Sequence, residues 1–188
     1  MDSLLLEWIS RTFAASSTYR IFSEGSSEGI RRFLREKIGD GQNLAQGATR
    51  EGYYRLLRPL VIALQENFKT SARGRGLHKK RPRKPSFGQA AKPVNLYVKG
   101  LLWRPRFGTD WPADKLYSLA HVPLDRIVLE HMWTDFSAEL PKQIAKCPEL
   151  SKLDEPTYLI LQEVLARAAD ELRVSPITYD LRWVDRKS

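Results

Sequence analysis

Apolar positions recur at helical spacing in nearly every block of the chain, and nowhere do they alternate for long. Leu5, Trp8, Ile9 and Phe13 mark a first helix, with Asp2 or Ser3 as its cap. In SSEGIRRFLREKIGDG, Ser27 can cap, Ile30, Phe33, Leu34 and Ile38 form a stripe, and Gly39 or Gly41 ends the helix. EGYYRLLRPLVIALQENFK predicts a long helix with a kink at Pro59. QAAKPVNLYVKGLLW is helical again, its Val94, Leu96, Tyr97, Val98, Leu101 and Leu102 placed for burial on one side. PADKLYSLA is a short helix. VPLDRIVLEHMWTDF opens another, with Asp125 at the N-cap or in the first turn. ELPKQIAKCPELSKLDEP reads as irregular or as short helices, and TYLILQEVLARAADEL as a strongly amphipathic helix. The tail SPITYDLRWVDRKS is a segment able to pack back on the body.

Between these blocks lie GQNLAQGAT, a loop, and RPRFGTDWP, a turn-rich connection. Residues 70–88 carry several Gly and Pro breakers and read as an exposed loop ending in a tight turn at Ser86-Phe87-Gly88. There is no internal repeat and no linker that splits the chain. The expected fold is all-α, one helical domain over 1–188, with a basic loop at 69–85, a hairpin and helix at 86–103 and an Asp-bearing helix at 123–136.

Composition agrees with a folded domain. The chain has 188 residues, 42% of them hydrophobic and 28% charged, enough for a core without disulfides. Its one cysteine, Cys147, excludes an intramolecular disulfide and any cluster or zinc site built from several cysteines. A reducing compartment follows as the expectation, so the location is taken as cytoplasmic. No apolar run reaches the roughly 18 residues of a membrane span, so no membrane partner is expected. The start, MDSLLLEWISRTFAASS, has acids and no basic n-region, unlike a signal peptide.

Charge changes the picture more. Lys and Arg number 31 against 22 Asp and Glu, a net charge of +9. Lys69, Arg73, Arg75, Lys79, Lys80, Arg81, Arg83 and Lys84 follow one another without an acid between them. A run of one sign points to a polyanion, and nucleic acid is the commonest.

Phosphate-binding loops, dinucleotide fingerprints and GxSxG elbows are missing. His78, His121 and His131 have no metal-motif spacing, so neither a metal nor a cofactor is expected. What stands out is the order of charged groups around a helical hairpin. The basic loop leads into Ser86-Phe87-Gly88, then Lys92 and Lys99 on one helix, then Pro123-Leu124-Asp125 opening another. Backbone amides of such a turn, at Ser86 and Gly88, are good phosphate ligands. Lys92 and Lys99 are seven apart and lie near one helix face. Two starts are open for that helix, Gln89 and Lys92, because Pro93 suits a first helical position.

KPVNLYVKGLL followed by VPLDRIVLE resembles the helix-hairpin-helix DNA glycosylases, most closely the archaeal 8-oxoguanine type, over about residues 86–130. That family carries two lysines seven apart on one helix and a later Pro-x-Asp opening another. The resemblance implies Lys92 as amine nucleophile at deoxyribose C1′ and Asp125 as stabiliser of charge developing on the sugar. Lys79, Lys80, Arg81, Arg83, Lys84, Ser86, Gly88 and Lys99 would hold DNA. The base pocket would draw on Leu96, which stands where the family has an aromatic, together with His121, Asp180 and Trp183. An altered pocket implies a base other than 8-oxoguanine, flipped out of the stack.

The expected activity is therefore a DNA N-glycosylase, with or without lyase activity. Its partner would be double-stranded DNA carrying a damaged or modified base, met in repair or in defence against phages with modified DNA. The protein would act as a monomer. Two other readings remain open: a non-catalytic helix-hairpin-helix module that docks on nucleic acid, and a basic interaction or effector protein. In both, Asp125 is a helix cap, Lys92 is a solvated lysine, and His121 is a satisfied structural histidine.

Overall fold

A computed structural model describes residues 3–12, 21–70, 82–103, 113–144 and 146–183. These residues are mostly helical, and among them the only β-pairing is an isolated antiparallel bridge between Phe22 and Thr70. The helices are α1 (Ser3–Thr12), α2 (Ser26–Lys37), α3 (Gln42–Ala45), α4 (Arg50–Asn67), α5 (Phe87–Trp103), α6 (Ala113–Leu119), α7 (Arg126–Phe136) and α8 (Glu155–Glu171). Short 3-10 segments span Ser137–Glu139, Leu150–Lys152 and Pro176–Trp183. The last belongs to the tail, and it packs against α6, α7 and α8.

Helix α5 is the axis of the molecule. It meets α1, α4, α6, α8 and the Leu150–Lys152 turn. Phe87, Ala90, Ala91, Val94, Tyr97, Val98, Leu101 and Leu102 are all buried, and at helical spacing they share one face of the helix, as expected. The other face is polar but covered as well, with Lys92, Asn95 and Lys99 buried, so α5 is enclosed although its apolar stripe is one-sided. Leu96, expected on the same side, lies off that face and is half-buried. The helix begins at Phe87, earlier than either Gln89 or Lys92, and runs through Pro93. Proline in a helix interior lacks the donor for one ladder bond and costs about 3 kcal/mol. Burial of the surrounding apolar side chains, at roughly 1.5–3 kcal/mol each for the larger ones, outweighs that local penalty.

The helix ends are fixed by short-range capping. Thr49 caps α4 by accepting the Gly52 N–H on Oγ1 at 3.0 Å, and Asp154 caps α8 by accepting the Thr157 N–H at 2.9 Å. Helix α2 starts at Ser26, behind Gly25 at φ 81°, rather than at a Ser27 cap. On α1, Ile9 is buried, whereas Trp8 is exposed and not part of the core.

Candidate functional site

Lys92 and Asp125 come together. Lys92 lies in the second turn of α5, and Asp125 is the N-cap of α7, one of the two positions that the sequence left open for it. One carboxylate oxygen, Oδ1, accepts the Val128 N–H at 3.0 Å. The other, Oδ2, lies 3.7 Å from Lys92 Nζ, an ion pair longer than a direct hydrogen bond. Lys92 is 9% exposed, whereas the Asp125 side chain is 37% exposed, so the pair has a dry end and a wet end. Burial pushes the Lys92 amine below its ordinary value, and the Asp125 charge partly opposes that shift. A buried amine of lowered basicity beside a carboxylate is suited to nucleophilic attack on an electrophilic carbon.

The stretch that carries Asp125 has no regular structure, yet residues 120–124 are buried. Buried backbone polar groups need partners. Gln162 supplies them: its Oε1 accepts the Val122 N–H and its Nε2 donates to the Val122 C=O, each at 2.9 Å. One turn earlier on α8, the Tyr158 hydroxyl receives the Asn95 Nδ2–H at 2.8 Å and meets His121 Nδ1 at 2.9 Å. Asn95 lies one turn beyond Lys92 on α5. None of Asn95, Tyr158 or Gln162 was singled out by the sequence. Their one signal is that Tyr158 and Gln162 are four apart on the apolar face of an amphipathic helix.

His121 is 9% exposed and enclosed by Tyr53, Tyr54 and Tyr158, with ring centroids 5.3, 6.0 and 5.5 Å away. Burial, with the charge of Arg50, lowers its pKa to about 3, so the imidazole is neutral near pH 7. A neutral, enclosed ring is a poor phosphate ligand. His121 does line a cavity of about 500 Å³, together with Arg50, Tyr54, Gln162 and Arg167. The residues lining that cavity do not include Lys92 or Asp125.

The predicted tight turn at Ser86-Phe87-Gly88 is instead a helix start. Ser86 Oγ accepts the Gln89 N–H at 3.1 Å while Gln89 Oε1 accepts the Ser86 N–H at 3.0 Å, a reciprocal capping box. Ser86 Oγ also donates to the Leu150 C=O at 2.6 Å. The Gly88 N–H donates to the Leu153 C=O at 3.1 Å, and a Cβ on Gly88 would lie 2.7 Å from Leu153 Cδ2. The Gly88 amide is therefore committed inside the protein, which corrects its expected role as a phosphate ligand. Ser86 likewise works as a cap.

Lys99 shares the α5 face with Lys92 and is 8% exposed. Arg83 and Lys84 are exposed. Lys79, Lys80 and Arg81 lie outside the described residues, and so do the side chains of Asp180 and Trp183. The neck of the basic segment is built: Thr70 N–H donates to the Arg83 C=O at 2.8 Å, and Arg83 N–H donates to Thr70 Oγ1 at 3.1 Å. On the other side Ser23 N–H donates to the Lys69 C=O at 2.9 Å.

Among the described residues no helix is long and apolar enough to cross a membrane. Compared with known proteins, the chain matches no family model, and neither a curated protein nor a solved structure resembles it significantly.

Proposed function

We propose that this protein is a DNA N-glycosylase of the helix-hairpin-helix kind, acting on a damaged or modified base in duplex DNA. The observation that carries the reading is the 3.7 Å approach of Lys92 Nζ to Asp125 Oδ2 at a largely buried amine. In this mechanism the unprotonated Lys92 amine attacks deoxyribose C1′ while the glycosidic bond breaks and its electron pair leaves with the base. The Asp125 carboxylate stabilises the positive charge that develops on the sugar. Ring opening then yields a Schiff base, from which strand cleavage follows in a bifunctional enzyme. Arg83, Lys84 and the rest of the basic segment supply phosphate contacts that carry no sequence information. The base excised is one whose modification sets it apart from 8-oxoguanine, in repair or in defence against phages.

The competing reading is a nucleic-acid docking module, and the Asp125 bond to Val128 N–H favours it, since a cap alone accounts for that oxygen. Borohydride reduction separates the two. Duplexes carrying an abasic site or a panel of modified bases are incubated with the protein and reduced. Covalent trapping that vanishes in Lys92→Gln supports the glycosylase. If the wild-type protein binds these duplexes but neither traps on any of them nor releases base, the docking module is the correct reading.

A further inference from the structure

We infer that Tyr158 and Gln162 of α8 are positioning residues that set the approach of Lys92 to Asp125. The two partners of the ion pair lie on separate pieces of chain, α5 and the buried stretch before α7. Both pieces are tied to α8. Tyr158 reaches α5 through Asn95 Nδ2 and reaches the stretch before Asp125 through His121 Nδ1. Gln162 holds the same stretch by both polar groups of Val122.

His121 is neutral, so its Nδ1 accepts if the Tyr158 O–H donates, and the Tyr158 oxygen then accepts the Asn95 Nδ2–H. That arrangement places the imidazole proton on Nε2. Asn95 Oδ1 is buried without a hydrogen-bond partner. A costly orphan of this kind is retained where the other end of the amide does something the fold needs. Here the other end joins α5 to α8 one turn from Lys92. The register is fixed from outside the pair, and the pair itself is left with a 3.7 Å gap and an open carboxylate.

The inference gains its functional meaning from the glycosylase reading, but its geometry does not depend on that reading, and it is tested without DNA. Trace acetylation of the whole folded protein, read lysine by lysine by peptide mass spectrometry across pH, yields the titration midpoint of Lys92. Exposed Lys152 serves as the internal reference. The charges to consider around Lys92 are Asp125, which faces it, and Lys99 two turns along α5, while His121 is uncharged across this range. Asp125→Asn lowers the Lys92 midpoint in the wild-type background. In Tyr158→Phe, which removes only a hydroxyl, and in Gln162→Met, that lowering is expected to shrink by half or more, because the carboxylate no longer stands where it did. The Lys152 midpoint stays fixed. A lowering as large in both variants as in wild type overturns the inference and makes Tyr158 and Gln162 ordinary core supports. Tyr158→Phe keeps the ring and its packing, so it reads the hydroxyl even if Gln162→Met fails to fold. Failure of borohydride trapping on DNA would sink the glycosylase while leaving this coupling intact.

Discussion

Asp125 divides its carboxylate between Val128 and Lys92, capping α7 with Oδ1 and facing the amine with Oδ2. The division makes cap and charge separable by substitution. Asn keeps an acceptor for the Val128 N–H and loses the negative charge. Asp125→Asn should therefore change stability by less than about 1 kcal/mol, whereas Asp125→Ala loses the cap and costs about 1 kcal/mol in urea unfolding.

The pH dependence of trapping follows from the same pair. Burial lowers the Lys92 pKa from its ordinary value and Asp125 raises it back in part. The reactive form is the neutral amine, so trapping rises with pH to a midpoint below that of a free lysine. Removing the Asp125 charge removes a raising influence, and the midpoint in Asp125→Asn shifts further down. Rates measured from about pH 6 to 10 check the direction, and an upward shift would contradict this account.

His121 predicts an acid weakness of the fold. Its pKa is about 3 when folded, against an ordinary 6.5. Between those values the unfolded chain binds a proton that the folded chain refuses, so stability falls as pH drops from 6.5 toward 3. Above 6.5 the group contributes no slope. His121→Gln should be less stable near pH 7 but lose less on acidification. Urea midpoints at about pH 7 and pH 4 compare the two slopes directly.

Gly88 tests the helix start. A methyl group there meets Leu153 Cδ2 at 2.7 Å and Leu153 Cβ at 2.9 Å. Gly88→Ala is expected to destabilise by roughly 1–3 kcal/mol through overpacking, despite the better helix propensity of alanine. Leu153→Ala alone is also destabilising, but the double variant should recover part of the sum. Strict additivity in a thermal or urea double-mutant cycle would mean that the clash is not the cause.

Neutralising Lys79, Lys80, Arg81, Arg83 and Lys84 together should weaken duplex binding equally for all sequences. The slope of log affinity against log salt should fall by about 0.9 for each phosphate that the variant no longer neutralises. Titrations at several salt concentrations measure both effects, and an unchanged slope would remove the segment from DNA binding.

The all-helical character was legible because 3.6-residue patterning is local and strong here. The role of Asp125 as a cap was legible for the same reason: an acid sits just before an apolar helical run. The start of α5 was misread because Pro93 speaks only for local preference, and the enclosure that overrides it comes from helices distant in sequence. The Ser86–Gln89 capping box was in plain sight as a serine and a glutamine three apart, but the glycines and basic residues beside it suggested a turn. Tyr158, Gln162 and Asn95 had no such cue. Asn95 and Tyr158 meet across a sequence separation of 63, and no pattern within one helix announces that meeting.

The Thr70–Arg83 clasp has a consequence for substitution. It closes the basic segment at its neck, so whatever lies between residues 70 and 83 is joined to the helical body at one fixed gap. The clasp is made by main-chain groups and the Thr70 hydroxyl, so an exchange of the Arg83 side chain leaves its bonds in place. A substitution at Thr70, by contrast, removes the hydroxyl that joins the two sides of the neck and so reaches the ends of both flanking helices, α4 and α5.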